Sequence, residues 1–221
     1  VPPARVYLFL SCFSLSGEQR KAILQQTHGK TAVWFYGSGY LGQTASTDAM
    51  SELMGMKLVE ATGLPSGTVT IEQGDRGLNA GIEGVQFGTP QALTPTWAVE
   101  EAPGVNVVAR FEGGRPAVAA VERDGSRTIY VGTVTAPAAF LRNILRTSGV
   151  HVWLDSDDLL LTDGQFLSVN ASQAGHKVIR FPGPRKVTSL PDKQTILDNA
   201  EQLEVDLVQG ETRMYWLEPL G

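Results

Sequence analysis

Two uninterrupted apolar runs separated by one helix's worth of polar chain constrain this sequence more than any other feature. Residues 5–11 (RVYLFLS) form the first run and residues 31–36 (TAVWFY) the second. Runs without alternation predict strands covered on both faces, as in a parallel sheet. Between them, Ser16-Gly17-Glu18-Gln19 has the spacing of a capping box, in which the Ser16 hydroxyl and the Gln19 amide close the first helical turn. That helix runs to about His28 and stops at Gly29. Strand, helix and strand within some thirty residues make a βαβ unit, so a parallel sheet is expected.

Downstream, Thr47 can cap a short helix through Met54, whose Met50, Leu53 and Met54 share one face, and Gly55 ends it. Residues 56–60 read as a strand. Residues 62–103 are read as an irregular insertion with short strands, one of them over 68–72. Strands are expected at 105–111, 116–122 and 127–131, joined by hairpin turns at 112–115 (EGGR) and 123–126 (RDGS). Pro137 opens a helix with Phe140, Leu141, Ile144 and Leu145 as its buried stripe. Beyond His151, short strands are expected at 150–154, 158–162, 165–171, 177–181, 187–190, 203–207 and 212–217, the spacing of a small antiparallel sandwich. The expected division is an α/β domain over 1–148 and a β-sandwich over 149–221.

Composition closes several function classes. The 221 residues carry a net charge of −5, which disfavours nucleic acid and anionic membrane as partners. No apolar run approaches the roughly 20 residues of a membrane span. Cys12 is the only cysteine, so neither a disulfide framework nor a multi-thiolate metal site can form within the chain. The opening Val-Pro-Pro-Ala has neither a Met nor a leader and reads as the end of an interdomain linker. The compartment stays open: cytoplasmic, periplasmic or secreted.

Four kinds of site can be weighed. Gly37-x-Gly39-x-x-Gly42 follows an apolar strand like a dinucleotide fingerprint, and Glu60 stands near the distance of a ribose-binding acid. The next helix signal starts only at Thr47, so a strand-exit loop is the preferred reading. Cys12 follows a strand, with His28, His151 and His176 elsewhere, but no glycine flanks it to make a nucleophile elbow. A packing residue is the preferred reading there. No His-x-x-His occurs for zinc, and Asp155, Asp157, Asp158 and Asp163 lack the glycine-spaced register of a calcium loop. Tyr40, Trp97 and Trp153 are candidates for stacking on a sugar or lining an interface, against a plain core role. No catalytic, cofactor-binding or metal-binding residue is assigned, and no cofactor is expected.

Several phrases, taken together, resemble one known module. They are residues 5–15 (RVYLFLSCFSL), 32–40 (AVWFYGSGY) and 51–58 (SELMGMKL). This combination resembles the glutamine-amidotransferase-like domain that follows the catalytic barrel in β-galactosidases of glycoside hydrolase family forty-two, often called the β-galactosidase trimerisation domain. Residues 141–153 (LRNILRTSGVHVW), 177–190 (KVIRFPGPRKVTSL) and 211–217 (ETRMYWL) resemble passages that close such domains and form their terminal β module. The resemblance implies a flavodoxin-like or class I amidotransferase-like parallel sheet with an inserted hairpin region. It further implies an accessory, oligomer-forming role beside a (β/α) barrel of the same parent protein, with carbohydrate near the interface. The family's catalytic carboxylates match no position of this chain. The alternatives are an independent amidotransferase-like or hydrolase enzyme using Cys12, or a nucleotide-binding module at Gly37 to Gly42.

Overall fold

A computed structural model describes residues 3–74, 77–190 and 192–220. The chain divides into two compact units, Val1–Val150 and His151–Gly221. No helix among the described residues is long and apolar enough to cross a membrane.

In chain order the first unit holds β1 (Val6–Phe9), α1 (Gly17–Thr27), β2 (Thr31–Phe35), α2 (Thr47–Met54), β3 (Leu58–Glu60), β4 (Val69–Ile71), β5 (Gln86–Phe87), β6 (Trp97–Val99), β7 (Val105–Phe111), β8 (Pro116–Arg123), β9 (Ser126–Val131) and α3 (Ala138–Thr147). Ser16 caps α1 in a complete capping box, as the sequence predicts. The cap of α2 is Ser46 rather than Thr47, its hydroxyl accepting from the Ala49 N–H. Pro137 is the N-cap of α3.

Seven strands form one mixed sheet in the order β1-β2-β9-β8-β7-β4-β5, and β3 pairs with β6 in a separate ribbon. Only β1, β2 and β9 run parallel. The remaining pairs of the large sheet are antiparallel. The expected flavodoxin-like parallel sheet is therefore corrected to a mostly β unit with a three-strand parallel corner. The reason lies in the two hairpin turns. Gly113, Gly114, Asp124 and Gly125 all take left-handed φ values, which reverse the chain between neighbouring strands. The 62–103 stretch supplies β4 and β5 to the edge of the main sheet.

Alternation along the strands sorts two cores. Val33, Phe35, Ile129 and Val131 face one side and pack under Phe140 and Ile144 of α3. Ala32, Trp34 and Tyr130 face the other and pack under Met50, Leu53 and Met54 of α2. The strand β1 departs from expectation. It lies at the sheet edge, with Leu8 47% exposed and Leu10, just after it, 62% exposed. An apolar run does not distinguish an edge strand from a central one.

The second unit is a single antiparallel sheet in the order β10-β11-β14-β12-β13, comprising β10 (Leu159–Thr162), β11 (Phe166–Asn170), β12 (Gly175–Leu190), β13 (Gln194–Leu207) and β14 (Thr212–Pro219). One continuous hydrogen-bonded sheet thus replaces the expected two-sheet sandwich. Pro182-Gly183-Pro184 reads as a break but lies inside β12, where register shifts against β13 bend the strand. That bend lets the inward face close on itself around Leu167, Val169, Ile179, Val187 and Leu217. Residues 150–154 make no strand beyond a bridge between Leu154 and Ile179.

Candidate functional site

In α/β sheets ligands bind at the carboxyl ends of parallel strands. Here those ends carry the loop after β1 with Cys12, the glycine loop after β2, and Gly132-Thr133 after β9. A cavity of about 720 Å³ opens between the starts of α1 and α2, lined among others by Ser14, Ser16, Arg20, Thr44, Ser46 and Glu52.

Arg20 organises this corner. Its Nε donates to the Leu15 carbonyl (3.3 Å), Nη1 to that of Ala49 (2.7 Å) and Nη2 to that of Gly39 (2.6 Å). One guanidinium therefore ties α1, the glycine loop and α2 together, and its donors point at backbone rather than into the cavity. The sequence signal is positional: Arg20, Ile23 and Thr27 are the least exposed residues of α1 and recur along one helix face. Sequence reasoning missed this role.

The glycine loop binds itself. The N–H groups of Ser38, Gly39, Tyr40, Leu41 and Gly42 donate to the carbonyls of Phe35, Cys12, Gly37, Phe13 and Thr44. A phosphate cradle needs such amides turned outward, so the nucleotide-binding reading is set aside. The glycines answer a packing demand instead. A Cβ on Gly37 would stand 2.5 Å from the Phe13 ring, and one on Gly39, at φ +79°, would stand 2.7 Å from Leu53.

Cys12 is half-buried, its Sγ 3.6 Å from the Leu10 carbonyl oxygen. A nucleophile needs a base within hydrogen-bond reach. His28 caps the far end of α1, an 11-residue helix that spans roughly 16 Å. His151 and His176 belong to the second unit. His151 bonds the Arg180 carbonyl, and His176 lies between Glu204 and Asp206 across β12 and β13. His28, the histidine of the first unit, sits at the far end of α1 and does not partner the thiol.

The aromatic candidates separate. Trp97 is 1% exposed and packs between Tyr36 and Tyr40, with ring centroids 5.4 and 4.6 Å away. It offers no face to a sugar. Tyr40 is half-buried on that tryptophan. Tyr36 donates its hydroxyl to the Pro95 carbonyl, and burial raises its pKa, so it stays a neutral donor. Trp153 is partly buried in the second unit, edge-on to His151 and Phe181.

Three of the aspartates after His151, Asp155, Asp158 and Asp163, serve structural ends. Asp163 accepts the N–H groups of Phe166 and Gln165, which hold its carboxyl below the usual range. Asp155 pairs with Arg180. The Asp158 carboxyl side chain is buried and lies 2.7 Å from the Lys177 ammonium, whose side chain is 6% exposed. Burial alone would raise the Asp158 pKa. Lys177, the Ser156 hydroxyl and the N–H and hydroxyl of Ser172 outweigh it and hold the carboxyl well below the usual carboxylate range. Among the described residues no three His, Cys, Asp or Glu side chains converge as a metal ion needs.

At the opposite, amino end of the parallel strands a polar cavity of about 590 Å³ includes Arg5, Lys30, Glu122, Arg123 and Arg127. Arg5 donates to the Gly149 carbonyl and Arg127 to that of Thr147, so these cations meet the carbonyl end of α3. Arg127 is also held by Glu122 at 2.7 Å. This is helix-end neutralisation.

No protein-family model and no curated protein matches the sequence. Solved structures do. A β-galactosidase from Bacillus circulans sp. alkalophilus superposes with a TM-score of 0.65 at 14% identity, covering 97% of this chain and 33% of that one. A catalytic mutant of Gan42B, a GH42 β-galactosidase from G. stearothermophilus, gives 0.63 at 13%, covering 97% and 32%. A β-galactosidase from the haloarchaeon Halorubrum lacusprofundi gives 0.60 at 13%, covering 98% and 32%. These likenesses show a shared fold. The chain spans about a third of the length of these β-galactosidases.

Proposed function

We propose that this chain is a non-catalytic accessory region of a multidomain, β-galactosidase-like glycoside hydrolase. In this reading the first unit corresponds to the amidotransferase-like, trimerisation-type domain and the second to the β module that follows it. The chain packs against a catalytic (β/α) barrel, takes part in a homo-oligomer and lies near the carbohydrate cleft, with Tyr40 and Trp153 as the aromatic groups closest to such a role. The observation that carries the proposal is the match of nearly the whole chain to only about a third of several β-galactosidases.

The chemistry of the first unit supports it. At the carboxyl ends of β1 and β2 the guanidinium, the loop amides and the thiol are placed to hold the fold together. Arg20 is committed to three carbonyls, the loop amides bond within the loop and its neighbours, and Cys12 has no histidine of its own unit beside it. The test is direct. The purified 221-residue chain should unfold cooperatively and leave an aryl β-galactoside intact. Turnover by the chain alone, abolished by one internal carboxylate substitution, would reject the proposal.

A further inference from the structure

The chain contains two Asp-Gly dipeptides, Asp124-Gly125 and Asp163-Gly164, and the fold treats them oppositely. In such a pair the glycine nitrogen can attack the carboxyl before it, because glycine has no side chain to hinder the approach. Asp163 is locked against this. Its Oδ1 accepts the N–H groups of Gln165 (2.9 Å) and Phe166 (2.7 Å), and the Gly164 N–H donates to the Thr162 hydroxyl at 2.9 Å. Both reacting groups are thus held in hydrogen bonds, and the two amides favour the carboxylate over the neutral acid that a nucleophile attacks. Asp124 and Gly125 form the exposed tip of the β8–β9 hairpin, with φ +51° and +74°, the pattern of a type I′ turn. The pairing of that turn falls to the flanking Arg123 and Ser126. Among the described residues neither the Asp124 carboxyl nor the Gly125 N–H has a hydrogen-bond partner. Nothing beyond the chain neighbours of Gly125 lies within 4 Å of where its Cβ would stand.

We propose that Asp124 is a self-modification site, converting through a succinimide to isoaspartate, and that Asp163 is protected from the same reaction. The Gly125 nitrogen attacks Cγ of the protonated Asp124 carboxyl. An N–Cγ bond forms, the Cγ–OH bond breaks, and the hydroxyl leaves with the amide proton as water. Water then opens the ring at either carbonyl. Cleavage at Cγ restores aspartate, whereas cleavage at the main-chain carbonyl leaves the chain running through Cβ and Cγ. The net reaction consumes no co-reactant, since the water released is the water returned. The isoaspartate product carries an extra backbone carbon through a tight turn and a new carboxylate beside it. The displacement falls on Ser126, whose hydroxyl accepts the Gly29 N–H at 2.8 Å, and on Arg127, whose N–H donates to the Lys30 carbonyl at 2.9 Å. Conversion at this tip therefore loosens the join between the β8–β9 hairpin and the turn from α1 to β2. The inference goes beyond the proposed function and does not depend on it.

The test ages the purified 221-residue chain in warm, mildly acidic buffer and follows its peptides by mass spectrometry and by labelling with an isoaspartyl methyltransferase. Isoaspartate should form at Asp124 at least about tenfold faster than at Asp163, where three hydrogen bonds must first be given up. In heavy-oxygen water each conversion at Asp124 should incorporate one labelled oxygen, the mark of the succinimide route. Asp124→Asn, which suits a type I′ turn, should form isoaspartate there faster still. Thr162→Val removes the acceptor of the Gly164 N–H and should raise conversion at Asp163. In the aged fraction the Gly29 amide should exchange its hydrogen faster than in the fresh chain. Equal rates at the two dipeptides, or no product at Asp124 under conditions that convert an Asp-Gly model peptide, would overturn the inference. A folded Thr162→Val chain with Asp163 still unreactive overturns the protection argument. If that variant does not fold, the ratio between the two dipeptides in the parent chain decides.

Discussion

Replacing Asp158 by Asn tests the buried ion pair that anchors the second unit. Asn keeps the size and one acceptor oxygen but leaves the Lys177 ammonium, 6% exposed, without its counter-charge. Removing one partner of a buried pair costs about 3–5 kcal/mol, because the remaining charge stays desolvated. A unit of about 70 residues has a total stability of roughly 4–10 kcal/mol. The substitution should therefore remove from about a third to all of it, lowering the melting temperature by more than about 10 °C. Urea unfolding followed by tryptophan fluorescence measures the loss, since Trp153 packs on Phe181 in this core. The pH dependence carries a matching sign. A carboxyl depressed in the folded state contributes stability that is complete above the unfolded value near pH 4 and fades as pH falls through its lower folded value. The parent should lose stability below about pH 4 more steeply than the Asp158→Asn variant does. The double change Asp158→Leu with Lys177→Met should recover most of the loss, because an apolar pair avoids desolvation altogether. A single variant within about 1 kcal/mol of the parent, as for an exposed pair, would refute the reasoning.

Two further substitutions probe the first unit. Arg20→Lys keeps the charge but cannot reach three carbonyls at once, and should cost about 2–4 kcal/mol by urea midpoint from lost charge-assisted bonds. Gly39→Ala puts a methyl at φ +79° against Leu53 and should cost about 1–3 kcal/mol; a smaller cost in a Leu53→Ala background identifies the clash as the cause.

What the sequence revealed was local. The capping box at Ser16, the buried run of β2 and the glycine turns flanking β8 follow from chemistry within a few residues, and each is present. The antiparallel pairing of β7, β8 and β9 was legible in those turns, but the parallel signal of a single βαβ unit was extended to the whole sheet, which is mixed. The join of β4 and β5 to the main sheet is a contact between distant segments, and no periodicity announces it. Pro182-Gly183-Pro184 misled because a bulge in a long strand uses the same residues as a turn. Among the candidate side chains, Trp97 proved to be core. The network around Lys177 went unread although a signal existed: Lys177 shares inward parity with Ile179 and Phe181, which marks a buried lysine in need of a carboxylate. Arg20 likewise sat on the inner stripe of α1.

The central claim is that the chain's polar and apolar groups shape a scaffold and that chemistry belongs to another part of a larger polypeptide. Expressing the complete reading frame that contains these residues, with and without 1–221, examines it most directly. A (β/α) barrel elsewhere in that frame, glycosidase turnover by the whole polypeptide, none by 1–221, and a smaller assembly once 1–221 is deleted is the predicted result. Glycoside hydrolysis retained by residues 1–221 in isolation would contradict it.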